Sequence, residues 1–162
     1  MNSMFTATDV LISVVMPMRN AEAYVQDALQ SVLQEHGIEF EVVVVDDGST
    51  DRSRSLVLAM GDTRVRVIDG PCQGFAASLN AGLRAARGRA VIQCDADDRL
   101  PMGRLPRQWA WLMAHPEHAA VCAAFCTMDA KGRAIADMGE RIGRTEQDIQ
   151  SELSAGVTRT SL

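Results

Sequence analysis

The sequence predicts an α/β fold: a doubly wound, mostly parallel sheet with flanking helices. Three observations carry this. Apolar runs of strand length alternate with helical patterns four times over, the connections are short, and two of the runs end in carboxylates, at Asp46-Asp47 and at Asp95, Asp97 and Asp98. Strand–helix alternation with short connections is the pattern of right-handed crossovers between parallel strands. Open sheets of this kind bind ligands beyond the carboxyl ends of their strands.

Leu11 to Met16 reads as the first strand, ended by Pro17. Pro17 to Asn20 reads as a loop, because proline removes a donor and restricts the residue before it. Asn20 is placed to cap a helix from Ala21 to Gln34, with Tyr24, Ala28, Leu29, Val32 and Leu33 as its apolar face and Gly37 as its stop. Glu41 to Val45 is the second strand and runs into Asp46-Asp47-Gly48. Ser49 or Thr50 is placed to cap the next helix, through Met60, with Asp51 in the first turn facing the dipole. Val65 to Ile68 is the third strand. Gly70-Pro71 and Gly74 form a loop before a helix over residues 76–86 that Gly88 ends.

Ala90 to Cys94, apolar except for Gln93, reads as a strand buried on both faces. It delivers Asp95, Asp97 and Asp98 to its carboxyl end. Pro101 to Leu105 enters a helix to Ala114 with Trp109, Leu112 and Met113 inward, and His115-Pro116 breaks it. Ala119 to Met128 is apolar enough for a fifth strand, and Asp129 to Gly132 has turn chemistry for a hairpin into Ala134-Ile135. Beyond Met138 the pattern fades to one or two amphipathic turns over 145–153. The end at Leu162 reads as a cut rather than a natural terminus.

A chain of 162 residues with 47% hydrophobic and 23% charged residues is of ordinary size for one soluble domain. A net charge of -5 argues against nucleic acid as a partner. Cys72, Cys94, Cys122 and Cys126 form no CxxC pair and read as reduced core thiols. Met1 to Asp9 lacks a secretion signal, and no run reaches the roughly 20 apolar residues of a membrane span. The expected location is cytoplasmic, free or peripheral at the inner membrane face.

Parallel strands bring both acidic clusters and the Pro17–Asn20 loop to one edge. Crowded carboxylates with no His or Cys nearby either hold Mg²⁺ or Mn²⁺ or form a solvated acidic turn. A divalent ion would neutralise the acids and offer open positions to a diphosphate. The Asp46-Asp47 pair could then accept hydrogen bonds from a base or a ribose, which implies a nucleoside diphosphate derivative as ligand. GxxxxGK[ST], GxSxG and a GxGxxG after the first strand are all missing, and His36, His115 and His118 fall on helices or their ends. Two rival readings remain: a phosphoacceptor receiver-like switch domain and a non-catalytic nucleotide-binding module. Lys131, the only lysine, falls in the hairpin turn rather than at the later strand end that a receiver needs.

Four blocks in order, Ser13 to Glu22, Val45 to Asp51, Ser78 through Gly88, and Asp95-Ala96-Asp97-Asp98, resemble the amino-terminal half of family-two glycosyltransferases of the GT-A, Rossmann-like fold. The similarity extends through Arg104-Leu105, Gln108 and His115-Pro116. What the resemblance implies is inverting transfer of a sugar from a nucleotide donor, often a UDP-sugar, to an acceptor hydroxyl on a glycan, a lipid or a small molecule. By resemblance, Pro17, Asn20 and Glu22 line the nucleotide pocket, Asp47 with Asp46 accepts from the base, and Asp95 lies near the ribose. Asp97 would hold Mn²⁺ or Mg²⁺ across the diphosphate, supported by Asp98. Gln93 stands where close relatives often carry a basic residue. The general base of such enzymes lies further along than residue 162, so none is assigned. Residues 1–10 are then a lead, 11–137 the nucleotide-sugar-binding domain, and 138–162 the start of an incomplete acceptor-side region.

Overall fold

A computed structural model describes residues 10–123, 126–129 and 133–137. The chain divides into two compact units, Met1–Ala119 and Ala120–Leu162. The first contains, in order, β1 (Ile12–Met18), α1 (Val25–Leu33), β2 (Phe40–Asp46), α2 (Ser53–Ala59), β3 (Val65–Asp69), α3 (Phe75–Ala85), β4 (Ala90–Gln93) and α4 (Arg104–Ala114). The sheet order is β3-β2-β1-β4, every pair parallel. The second unit holds β5 (Cys126–Met128) paired antiparallel with β6 (Ala134–Asp137), closed by the Asp129 N–H donating to the Arg133 carbonyl.

β1 and β2 are buried at every position and form the centre of the sheet. Side chains alternate between faces. Val14, Met16, Val42 and Val44 pack with Ala28, Leu29 and Val32 of α1, Val57 of α2 and Leu105 of α4. Val15, Val43 and Val45 turn the other way, onto Leu79, Ala81 and Ala85 of α3. Gly82 lets α3 lie close: a Cβ there would stand 2.3 Å from Val15 Cγ1.

A buried polar knot ties the amino end of the sheet to the end of α3. Glu41 Oε1 accepts from Ser13 Oγ at 2.8 Å and from the Arg87 N–H at 2.8 Å, while Oε2 accepts from Arg66 Nε at 2.9 Å. Burial would push the Glu41 carboxyl up, but the Arg66, Ser13 and Arg87 hydrogen bonds outweigh it and hold the group below its ordinary 4.5.

Several expectations change. Pro17 lies inside β1, opposite Val45. Its missing N–H faces the β4 side, where β4 ends at Gln93 opposite Val15, so no ladder bond is lost. β4 is an edge strand among the described residues, with Val91 and Gln93 exposed, because a four-residue apolar run does not encode its place in the strand order. α1 starts at Val25, leaving Tyr24 outside it and half-exposed. On α4 the buried anchor is Leu105, Trp109 packs against the core, and Met113 faces out. Among the described residues of the run 119–128, only Cys126–Met128 is strand, and it belongs to the hairpin sheet. The run is rich in alanine and poor in β-branched residues, so it is apolar without strand preference. Cys94 is buried as expected, and burial with the nearby Asp98 charge pushes its thiol up to about 12, whereas Cys72 and Cys122 are exposed. Lys131 and the 145–153 turns lie outside the described residues.

Candidate functional site

The carboxyl ends of β1 and β4 are neighbours at the point where the strand order reverses direction, from β1-β2-β3 on one side to β4 on the other, and a crevice opens at such a point. A cleft of about 250 Å³ lies there, lined by Pro17, Arg19, Asn20, Ala21, Tyr24, Phe75, Asp95, Ala96 and Asp97. Of the residues expected at the site, Pro17, Asn20, Asp95 and Asp97 meet in this cleft; Glu22, Asp46, Asp47 and Asp98 are not among its lining residues.

The loops after β1 and β2 clasp one another. Asn20 adopts φ 50°, its Oδ1 accepts from the Thr50 N–H at 2.8 Å, and its own N–H donates to Ser49 Oγ at 3.1 Å. The Glu22 N–H donates to Asp51 Oδ2 at 3.1 Å, and Glu22 Oε2 accepts from the Arg52 N–H at 3.0 Å. Asn20 therefore does not cap α1, and Ser49 and Thr50 do not cap α2. Asp51 takes that task through Oδ1, which accepts from the Ser53 N–H at 2.9 Å. Burial opposes ionisation of Asp51, yet the Ser53 and Glu22 donors hold its carboxyl low.

Asp46 and Asp47 are buried and face inward. Asp46 Oδ1 accepts from the Ser49 N–H at 3.0 Å, and Oδ2 from Arg54 Nη1 at 3.2 Å. Asp47 holds the next loop, with Oδ1 accepting from the Cys72 N–H at 2.7 Å and Oδ2 from the Gly74 N–H at 2.9 Å. Gly74 sits at φ 88° and ψ -178°, open only to glycine, so Asp47 and Gly74 together set where α3 begins. The Asp47 carboxyl is held below its ordinary range, first by the Ser78 hydroxyl, then, against burial, by the Gly74 and Cys72 N–H groups and the Arg19 charge. Ser78 Oγ is buried and reaches no partner in full hydrogen-bond geometry, so it acts on Asp47 as a close dipole.

At the end of β4, Asp95 Oδ1 accepts from Gln93 Nε2 at 3.0 Å. Asp98 is exposed at its tip. Its carboxyl is held above the ordinary range by partial burial first, then by the charges of Asp95 and Asp97, with Arg104 opposing. A cation would relieve that repulsion, and hard oxygen donors suit Mg²⁺ or Mn²⁺. Among the described residues no three His, Cys, Asp or Glu side chains form a ready cage. An ion here would take one or two carboxylates and complete its shell with ligand oxygens and water. The donor set fits such an ion.

Arg19, Tyr24 and Phe75 line the cleft without having been singled out from sequence. Tyr24, expected on a buried helix face, lies outside α1, and Phe75 opens α3 only because Gly74 turns the chain; both rings are half-exposed. The histidines stay away: His36 lines a second cavity of about 460 Å³ with Glu39, Phe40 and Arg64 at the opposite sheet edge, and His115 stacks on Trp111. No helix among the described residues is long and apolar enough to cross a membrane.

The profile of the family described as "Glycosyl transferase family 2" matches residues 13–155. An uncharacterized glycosyltransferase of Haemophilus influenzae is 35% identical over 64% of this chain and 42% of its own length. The Escherichia coli enzyme UDP-Glc:alpha-D-GlcNAc-diphosphoundecaprenol beta-1,3-glucosyltransferase WfgD is 32% identical over 65% of this chain and 42% of its own. Among solved structures, S. aureus TarS 1-349 in complex with UDP-GlcNAc superposes with a TM-score of 0.62 at 30% identity, over 66% of this chain and 32% of that one. The mannosyltransferase PcManGT from Pyrobaculum calidifontis, in complex with GDP-Man and Mn²⁺, gives 0.59 at 28% identity, over 76% and 37%. The chain spans less than half the length of these curated relatives.

Proposed function

The chain belongs to glycosyl transferase family 2, and from that premise we propose that it binds the nucleotide-diphosphate-sugar donor, a UDP-sugar, of an enzyme that transfers the sugar to an acceptor hydroxyl with inversion. The observation that carries this reading is the cleft between the ends of β1 and β4, where Pro17, Asn20, Asp95 and Asp97 meet. Asp95 is the group for the ribose, and Asp97 with Asp98 for Mn²⁺ or Mg²⁺. When bound, the ion would offset the charge that builds on the departing diphosphate. Asp46, Asp47 and Glu22 serve this site by fixing the loops that frame it, Asp47 by holding the Cys72 and Gly74 N–H groups of the loop that leads to Phe75. The donor-binding domain runs over residues 11–137, preceded by a lead and followed by the start of the acceptor side, at 138–162. The acceptor is a glycan, a lipid or a small molecule, and the general base is sought beyond residue 162. The location proposed is the cytoplasm or its membrane face.

Two features support the donor reading over a receiver-like switch: the family match, and the engagement of both Asp46 oxygens by Ser49 and Arg54, which leaves that carboxylate poorly placed to accept a phosphoryl group. The test is thermal unfolding with UDP, with Mn²⁺ or with EDTA. UDP at about a hundred times its Kd is expected to stabilise the wild-type chain by about 2.7 kcal/mol. Asp97→Asn is expected to remove the Mn²⁺-dependent part and leave the ligand-free midpoint unchanged. Full Mn²⁺-dependent protection in that variant would sink the assignment.

A further inference from the structure

Arg19 follows β1 directly and lines the cleft together with Asp95 and Asp97. No other lining residue is cationic. The arginines around the sheet are engaged: Arg54 with Asp46 and Asp69, Arg64 with Asp62 and the Leu33 carbonyl, Arg66 with Glu41 and the Ala85 carbonyl. Arg19, by contrast, makes no hydrogen bond or ion pair among the described residues, and its side chain is exposed. Its charge also helps to hold the Asp47 carboxyl low.

A divalent ion held by two carboxylates is neutralised by them, so a diphosphate entering this cleft still has its own charge to be met. A guanidinium offers a planar fork of donors that matches phosphate oxygens two at a time. We propose that Arg19 binds the donor's diphosphate directly, beside the metal and independently of it. The assignment rests on the donor-site reading above and deepens it: the site has two cationic contacts to the diphosphate, one of them built into the chain. One consequence is specific to it. Some preference for UDP over uridine persists when the metal is removed.

Calorimetry tests this with UDP and with uridine, each in Mn²⁺ and in EDTA, on the wild-type chain, Arg19→Ala and Arg19→Lys. Arg19→Ala is expected to weaken UDP about tenfold or more in both conditions, the loss of one charge-assisted contact, while uridine is unchanged. Arg19→Lys recovers part of the loss, and the salt dependence of UDP binding flattens in Arg19→Ala. Equal UDP affinity in wild type and Arg19→Ala would overturn the assignment. So would a fall in uridine affinity by the same factor, which would mark a base contact instead. A wild-type chain that takes no UDP even with Mn²⁺ overturns the donor-site reading itself, and Arg19's part with it.

Discussion

Gly82 shows how one residue sets the distance between layers. It stands in the middle of α3, where glycine is unfavourable by about 1 kcal/mol relative to alanine. An alanine Cβ would meet Val15 Cγ1 at 2.3 Å and Val45 Cγ2 at 3.0 Å. Both valines are fully buried and stiff at χ1, so neither can swing aside. Gly82→Ala is expected to lower stability by about 1–3 kcal/mol in urea titration, overpacking outweighing the gain in helix propensity. A more stable variant would show that α3 can lift off the sheet freely. At this same scale the sequence was only partly legible. The block around Asn80 and Gly82 was visible as a motif, but which valine the glycine makes room for depends on strand parity and on the sheet order.

Among the elements, the clasp between the β1–α1 and β2–α2 loops matters most for the site. Asn20 Oδ1 holds the Thr50 N–H, Asp51 Oδ2 accepts from the Glu22 N–H, and Glu22 Oε2 accepts from the Arg52 N–H. Asn20 and Thr50 are thirty residues apart, so the clasp is a contact between loops that the parallel ladder of β1 and β2 brings side by side. Asn20→Ala loses the acceptor and places a Cβ-bearing residue without local hydrogen bonding at φ 50°. Its expected cost is about 1–2 kcal/mol by chemical denaturation, with faster proteolytic nicking near residues 48–53. Asn20→Gly keeps the backbone at ease and is expected to cost less. Equal costs for the two would mean that the hydrogen bond, not the backbone conformation, accounts for the whole effect.

For the whole molecule, the Glu41 knot joins β1, β2, β3 and the end of α3 at the amino edge, opposite the cleft. Its carboxyl is held below 4.5 in the folded chain. The unfolded chain therefore binds the proton first as pH falls, so this stabilisation is present above 4.5 and is lost as pH drops through the lower folded-state value. Glu41→Gln leaves Arg66 without its charge partner in a mostly buried position. Equilibrium unfolding from pH 7 to pH 3 is expected to show a loss of about 1–3 kcal/mol at neutral pH and a shallower acid limb. An unchanged acid limb would show that other carboxylates dominate acid unfolding.

The sequence by itself determined the order of strands and helices, the parallel class of the sheet and the delivery of Asp46, Asp47, Asp95 and Asp97 to strand ends, because these follow from local periodicity and from chain direction. It also determined that β1 and β2 would be core, since Val14 to Met16 and Val42 to Val45 are unbroken apolar runs. Tertiary structure alone decided which of the acids face the cleft and which face inward. Asp46 and Asp47 are claimed by N–H groups from Ser49, Cys72 and Gly74 that only the assembled loops present. It also made β4 an edge among the described residues and brought Arg19, Tyr24 and Phe75 to the cleft, because neighbours across a sheet are set by strand order, which no single segment encodes.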